Sequence, residues 1–208
     1  MEIKLLKVAG IEEAIKAMRN PYDSWDKSDS RESEYGDWEI GEKDLELSLK
    51  LSSAGPVHGK HLRLIDAWAD VTASFVFWKQ MDTYRMGVDK VSCSTMHTLT
   101  KREFSRDMFE DYDPLTIEKL NTFRQHYLDA VAANEKDDAS FWENKLIYSL
   151  PMSFLQKRTY KFSYAALAAM YEQRKNHKLE EWHTFCEWIK GLPYSFLIVG
   201  KETEVPDP

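Results

Sequence analysis

Helix start and stop signals recur along the second half of this 208-residue chain and limit the architectures it can adopt. The pair Asp113-Pro114 is typical of a helix N-cap followed by proline at the first helical position. The periodic segment LTIEKLNTFRQHYLDAVAANE comes next, and a further helix stops at Leu150-Pro151. The segment SYAALAAMYEQRKNHKLEEWHTFCEWIKG predicts one long helix that ends at Gly191.

The first half mixes strand and helix patterns. EIKLLKV predicts a first strand, and both GIEEAIKAMRNP and EKDLELSLKLSSAGP predict helices. Leu62, Ile65, Trp68 and Ala69 fit one helix face, whereas VTASFVFW is compatible with a buried strand or a continuing helix. SFLIVG predicts a last strand. We therefore predict a mixed α+β fold in which a small central sheet packs with long helices.

The length predicts a single domain over residues 1–208. The polar, charged stretch DSWDKSDSRESEYGD predicts a mobile loop at residues 23–37.

Charge and cysteine content exclude several classes of function. The formal net charge of −7 and a pI near 5.4 argue against binding a nucleic-acid polymer or an anionic membrane. Cys93 and Cys186 fit no disulfide or metal framework and predict reduced thiols in the cytoplasm. His58 and His61 are too few for zinc, so no metal site is predicted.

The stretch SCSTMH concentrates polar chemistry at residues 92–97. Cys93 and His97 are candidate catalytic residues, as a nucleophile with its base. The alternative is a polar ligand-binding loop in which Ser92, Ser94, Thr95 and His97 donate hydrogen bonds. A third interpretation is structural, with the hydroxyls capping the backbone and the thiol packing as a small hydrophobe.

Two basic groups are candidates for binding an anion. On one continuous helix, Arg174, His177 and Glu181 would share a face, where the arginine could grip a phosphate or carboxylate. The group of Lys157, Arg158 and Lys161 in QKRTYKF could also bind a nucleotide phosphate. In both cases the alternative is a solvated charged surface. The chain has no GxGxxG, GxxxxGK[ST], GxSxG or HExxH motif, which argues against a Rossmann or P-loop site.

Three stretches together resemble the flavin-dependent thymidylate synthases. They are MEIKLLKVAGIEEAIKAMR, GPVHGKHLRLIDAWADVTASFVFWKQMDTYRMGVDKVSCSTMHTL and LPMSFLQKRTYKFSYAALAAMYEQRKNHKLEEW, about two thirds of the chain. The second corresponds to the family's invariant Gln followed by RHRxxSxNExSxRY, and the third to its Leu-Pro and Asn-x-Arg-Ser-Leu helix.

The residue-by-residue resemblance is partial. Gln80 falls on the family's nucleotide-contacting Gln, Arg85 on the second Arg of RHR, Leu167 on the helix Leu, and Arg174 on the Arg that contacts dUMP. The family's other signature residues are replaced here by Thr83, Tyr84, Val88, Lys90, Val91, Cys93, Thr95, Met96, Ser163 and Ala165.

The resemblance implies a thymidylate synthase-like fold, FAD as cofactor and a homo-oligomer, namely a tetramer with sites between subunits. The chain is also similar to phage and prophage proteins that share SCSTMH, QKRT and RKNHKLEEWHTFC-like strings. Our first hypothesis is a protein that binds a nucleotide or small phosphate ligand, sequestering it or inhibiting a host protein. The second is a flavin-dependent enzyme that modifies C5 of a dUMP-type nucleotide. The third is a helical interaction protein without a small-molecule site.

Overall fold

The structure, a computed structural model, describes residues 1–34 and 38–200. Its strands in chain order are β1 (Glu2–Ala9), β2 (Arg31–Glu32), β3 (Trp38–Glu39), β4 (Asp66–Ser74), β5 (Val88–Ser92) and β6 (Leu155–Ser163). Its helices are α1 (Ile11–Ala17), α2 (Glu42–Ser53), α3 (Phe75–Met81), α4 (Thr95–Thr98), α5 (Pro114–Ala132), α6 (Lys136–Ser149), α7 (Tyr164–Arg174), α8 (Glu180–Lys190) and α9 (Phe196–Val199). One sheet has the strand order β1-β4-β6-β5, and β2 pairs antiparallel with β3. The predicted α+β class is confirmed.

The chain forms two compact units. Unit 1 consists of Met1–Glu2, Val71–Thr83 and Val91–Thr159. Unit 2 consists of Ile3–Asp70, Tyr84–Lys90 and the chain from Tyr160 onward. Cooperative folding of all residues as a single domain stays a prediction, because this division describes geometry rather than stability.

Unit 1 is built on the helical hairpin of α5 and α6. Helix α5 begins as the sequence predicts, because the Asp113 carboxylate accepts hydrogen bonds from the main-chain nitrogens of Leu115 at 3.2 Å and Thr116 at 3.1 Å. The apolar core of this unit consists of Leu99, Phe104, Met108, Phe109, Leu120, Leu146 and Phe154.

Unit 2 has its core around α7 and α8. Trp182, Phe185, Cys186 and Ile189 are buried on α8 at spacings of three, one and three residues, which places them on one helix face. Burial raises the pKa of the Cys186 thiol to about 11, so this cysteine is a packing residue and not a nucleophile at neutral pH.

A buried ion pair joins the segment before β2 to α2. Asp44 is fully buried and Arg19 is 5% exposed, and Arg19 Nε donates to Asp44 Oδ1 at 2.6 Å. The hydroxyls of Ser28 and Ser30 donate to Asp44 Oδ2 at 2.5 and 2.6 Å. The carboxylate is therefore satisfied from three sides.

Residues 62–69 do not form the predicted helix. A 3-10 helix covers Lys60–Arg63, and β4 follows from Asp66 with alternating burial along the strand. The apolar spacing fitted a helix by coincidence, whereas the alternation ending in VTAS is the strand signal. The ambiguous segment VTASFVFW changes from strand to helix at Ser74, whose Oγ accepts a hydrogen bond from the main-chain nitrogen of Phe77 at 3.2 Å.

Two further predictions about the C-terminal segments were wrong. The expected long helix is divided into α7 and α8, and SFLIVG contains the short helix α9 instead of a strand. In the segment predicted as a mobile loop, Trp25–Lys27 form a 3-10 helix, while Tyr35, Gly36 and Asp37 lie outside the described residues. Its mobility stays a prediction. No helix in residues 1–34 or 38–200 is long and apolar enough to cross a membrane.

Candidate functional site

The SCSTMH segment lies in unit 1, between β5 and α4. Its backbone is fixed beside β6, because the main-chain nitrogen of Cys93 donates to Lys157 O at 2.9 Å and Gln156 Nε2 donates to Cys93 O at 2.7 Å. The side chains of Ser92, Cys93, Ser94 and His97 are exposed, and Thr95 is half-buried. The segment therefore exposes hydroxyls and a thiol to solvent, while hydrogen bonds to Gln156 and Lys157 fix its backbone.

The Cys93 thiol makes its contact with a hydroxyl. Cys93 Sγ lies 3.9 Å from Thr98 Oγ1, which donates to Ser94 O at 2.7 Å. No hydrogen bond joins Cys93 to His97 in the described part of the chain. A catalytic role for this pair stays a prediction, without a formed dyad to support it.

Arg158 holds this region together within unit 1. Its Nη1 donates to Asp82 Oδ1 at 2.8 Å and its Nε to Gln156 Oε1 at 2.9 Å. The guanidinium carbon lies 4.4 Å from the centroid of the Trp78 ring, and Trp78 Nε1 donates to Gln156 O at 2.9 Å. Since Gln156 in turn donates to Cys93 O, Arg158 positions the SCSTMH backbone through Gln156.

A cavity of about 370 Å³ opens beside the segment in unit 1. The sequence-predicted residues Cys93 and Thr95 line it. Its wall also includes Lys101, Arg102 and Lys157. Lys157 belongs to the basic group QKRTYKF, whereas Lys101 and Arg102 were not predicted because KRE looks like ordinary solvated surface. We call it the Cys93 cavity.

In unit 2, Arg174 ends α7 and is held by aromatic side chains. Its Nε donates to Tyr84 Oη at 2.8 Å, and Tyr84 Oη donates to Gln173 Oε1 at 3.0 Å. The guanidinium carbon lies 4.6 Å from the ring centroid of Trp182, which is fully buried, and 5.5 Å from that of Tyr84. These contacts fix the orientation of a half-buried cation.

His177 lies in the segment that separates α7 from α8. Its Nδ1 accepts a hydrogen bond from the main-chain nitrogen of Leu179 at 3.1 Å, and its ring centroid is 6.2 Å from that of Trp182. Burial, and then the positive charge of Arg174, lower the pKa of His177. The predicted helical face is corrected, because Glu181 belongs to α8 and is buried, at 3% exposure, while Arg174 and His177 meet around Trp182.

The remaining predicted residues take separate positions. Gln80 lies on α3 of unit 1, where its main-chain oxygen accepts from Thr83 Oγ1 at 2.7 Å. Arg85 is exposed in unit 2, in the turn before β5. Gly87 in that turn has φ 69°, and a Cβ there would lie 2.2 Å from Ser163 Oγ at the start of α7, so the turn requires glycine.

The described residues contain no cluster of side chains that could bind a metal ion. No group of three or more His, Cys, Asp or Glu side chains suited to a metal ion occurs within residues 1–34 and 38–200. His61 is buried, and its Nε2 lies 2.8 Å from Ser48 Oγ, so this histidine is part of the core of unit 2.

These elements define the fold of the flavin-dependent thymidylate synthases. The crystal structure of thymidylate synthase X (ThyX) from Helicobacter pylori with FAD and dUMP matches with a TM-score of 0.72 at 18% identity, over 95% of this chain and 97% of that chain. A second structure of the H. pylori flavin-dependent enzyme, complexed with FAD and dUMP, gives 0.71 at 17% identity, over 95% and 98%. No protein-family model and no curated protein matches the sequence. The fold implied by the sequence resemblance is thus confirmed.

Proposed function

We propose that this protein binds a nucleotide or a closely related phosphate ligand on a flavin-dependent thymidylate synthase fold. The observation that carries the proposal is the fixed guanidinium of Arg174, held by Tyr84 Oη at 2.8 Å and by the Trp182 ring at 4.6 Å. The sequence resemblance places Arg174 on the arginine that contacts dUMP. The fold neighbours solved with dUMP give independent support.

The pre-organisation of Arg174 favours ligand binding. An arginine that is oriented before the ligand arrives loses little side-chain entropy on binding. A guanidinium forms charge-assisted hydrogen bonds with a phosphate or a pyrimidine carbonyl, and a planar group of fixed orientation favours such a ligand. Tyr84 acts as a positioning residue, since it orients Arg174 through Nε.

A divergent flavin enzyme acting on C5 of a dUMP-type nucleotide is the second candidate, and the FAD in both fold neighbours supports it. Two donors at the family's signature positions are already engaged within this chain. Thr83 Oγ1 donates to Gln80 O at 2.7 Å, and Tyr84 Oη joins Arg174 to Gln173. Because the Arg and His of the family signature are replaced here and these hydroxyls already have partners, we rank binding above catalysis.

The visible spectrum separates the two candidates. A purified protein that absorbs near about 450 nm, or does so after reconstitution with FAD, would support the enzyme, since the flavin would supply the redox chemistry. A colourless protein that takes up no FAD supports binding without flavin chemistry.

A thermal-shift panel then tests ligand binding. We expect dUMP, dTMP or a cyclic oligonucleotide to raise Tm, because a ligand that binds only the native state stabilises it. Arg174→Ala should reduce the shift and weaken binding by about tenfold or more, and Tyr84→Phe should have a smaller effect. Lys178→Ala removes an exposed cation close in sequence and is the matched control. No shift with any nucleotide would leave an interaction protein.

The biological role extends this proposal. Binding without turnover fits sequestration of a nucleotide or inhibition of a host protein, and the strings shared with phage and prophage proteins suggest a phage setting. We also propose a cytoplasmic homo-oligomer, such as a tetramer, with the net charge of −7 disfavouring polymeric nucleic acid as a partner. Light scattering of the purified protein tests the oligomeric state.

A further inference from the structure

The Cys93 cavity combines a polar wall with an apolar floor. Hydroxyls of Thr95 and Thr98 line it together with the Cys93 thiol. Leu99, Met108 and Phe154 also line it, and these three are buried, at 3%, 7% and 6% exposure. Its volume of about 370 Å³ lies within the roughly 300–1,000 Å³ typical of small-ligand pockets.

The charge of the wall is positive. Lys101, Arg102 and Lys157 contribute three cations, against the single carboxylate of Asp107. Arg102 Nη1 lies 3.6 Å from Asp107 Oδ2, and both side chains are largely exposed, at 62% and 68%. A screened pair of this kind holds its arginine weakly, so Arg102 can turn toward an anion at low cost.

We propose that the Cys93 cavity binds a phosphomonoester, with the phosphate at Lys101, Arg102 and the Thr95 hydroxyl, and an aromatic or other apolar body against Phe154. The phosphate class follows from the cations and the Thr95 hydroxyl in the cavity lining, because both kinds of group donate hydrogen bonds to phosphate oxygens. The apolar body follows from Leu99, Met108 and Phe154 in the lining, because an apolar group in contact with these side chains leaves water. This inference deepens the proposed function, on which it rests for the nature of the ligand, and it adds residues outside the resemblance.

Cys93 offers a built-in reporter of occupancy. Its side chain is exposed in the cavity wall, whereas the other cysteine, Cys186, is 3% exposed in unit 2. A ligand seated in the cavity would cover the Cys93 thiol and slow its alkylation. The rate with N-ethylmaleimide, followed by intact-protein mass spectrometry, therefore measures binding without assuming any activity.

The experiment compares phenyl phosphate, inorganic phosphate and phenol on the full chain at matched ionic strength. We expect phenyl phosphate to protect Cys93 saturably, inorganic phosphate to protect it at higher concentration, and phenol to give no protection. Equal protection by phenol, or none by phenyl phosphate, would overturn the inference.

Variants link the protection to the proposed residues. The double change Lys101→Ala with Arg102→Ala should raise the half-protecting concentration of phenyl phosphate by about tenfold or more. Lys136→Ala removes an exposed lysine of unit 1 that does not line the cavity, and it should leave protection unchanged. Unaltered protection in the double variant would contradict the assignment.

The outcome is distinguishable from that of the proposed function. Arg174→Ala lies in unit 2 and should leave protection of Cys93 by phenyl phosphate intact while it weakens nucleotide binding. If Arg174→Ala abolishes protection and the Lys101/Arg102 variant does not, the cavity inference is wrong and the Arg174 proposal stands.

Discussion

Replacing Asp44 by Asn tests how far a buried ion pair stabilises unit 2. Asp44 is fully buried, and it accepts from Arg19 Nε at 2.6 Å and from the hydroxyls of Ser28 and Ser30 at 2.5 and 2.6 Å. Asp44→Asn keeps the shape but leaves the Arg19 cation, 5% exposed, without its counter-charge. Removing one partner of a buried pair costs about 3–5 kcal/mol of the free energy of unfolding.

The expected shift is large enough to measure by thermal unfolding. For a chain of this size each kcal/mol lowers Tm by about 2–4 °C, so Asp44→Asn should lower Tm by about 10 °C. Glu46→Gln removes the same charge from an exposed position of α2 and is the control, with an expected change within about 0.5 kcal/mol. If the two variants have equal Tm values, the buried pair does not stabilise the fold as described.

The stability difference between the wild type and Asp44→Asn should also depend on pH. Burial alone would raise the pKa of Asp44, but hydrogen bonds from Ser28, Ser30 and Arg19 outweigh it and hold the pKa below its usual range. A carboxyl with a lowered folded-state pKa contributes stability that is present above its unfolded pKa of about 3.9. That stability is lost as pH falls through the folded-state value, so the Asp44→Asn difference should shrink below about pH 4.

Three further predictions follow from the contacts. Arg158→Ala should lower the free energy of unfolding by about 2 kcal/mol in a urea titration. It should also speed alkylation of Cys93, because the hydrogen bond from Arg158 to Gln156 is lost and Gln156 holds the Cys93 carbonyl. An unchanged alkylation rate would refute the positioning role of Arg158. Burial lowers the pKa of His61 from 6.5 to about 4. The free energy of unfolding should therefore fall by about 3 kcal/mol as pH drops from 6.5 toward 4, because the unfolded state takes up the proton first. In a series of Tm measurements against pH, His61→Gln should lack this loss. The single-domain prediction expects tryptophan fluorescence and far-UV circular dichroism to report one coincident unfolding transition, and two separate transitions would contradict it.

Local signals predicted the elements whose cause is local. The Asp113-Pro114 cap of α5 and the first strand could be predicted because the responsible residues are adjacent in sequence. The break between α7 and α8 could not, because apolar periodicity continues through it while His177 Nδ1 accepts from Leu179 N and the chain re-enters a helix at Glu180. The start of strand β4 could not be predicted, because Leu62, Ile65, Trp68 and Ala69 also fit a helix face, whereas VTAS is compatible with either structure from its sequence.

Contacts between residues far apart in sequence limit how much of the candidate site can be predicted from the sequence. Arg174 was predicted as a ligand residue, but its partner Tyr84 lies 90 residues away in sequence, and no local sequence pattern predicts their contact. The cations Lys101 and Arg102 of the Cys93 cavity look like any exposed charge run until the fold places them beside Cys93. The residue types of the site can therefore be predicted from the sequence, whereas their neighbours depend on the fold.

Calorimetric titration of dUMP into the purified protein measures nucleotide binding itself. We expect saturable binding by the wild type, binding weakened by about tenfold or more in Arg174→Ala, and unchanged binding in Lys178→Ala. The absence of saturable heat with dUMP, together with no Tm shift from any nucleotide in the panel, would contradict the proposed nucleotide binding.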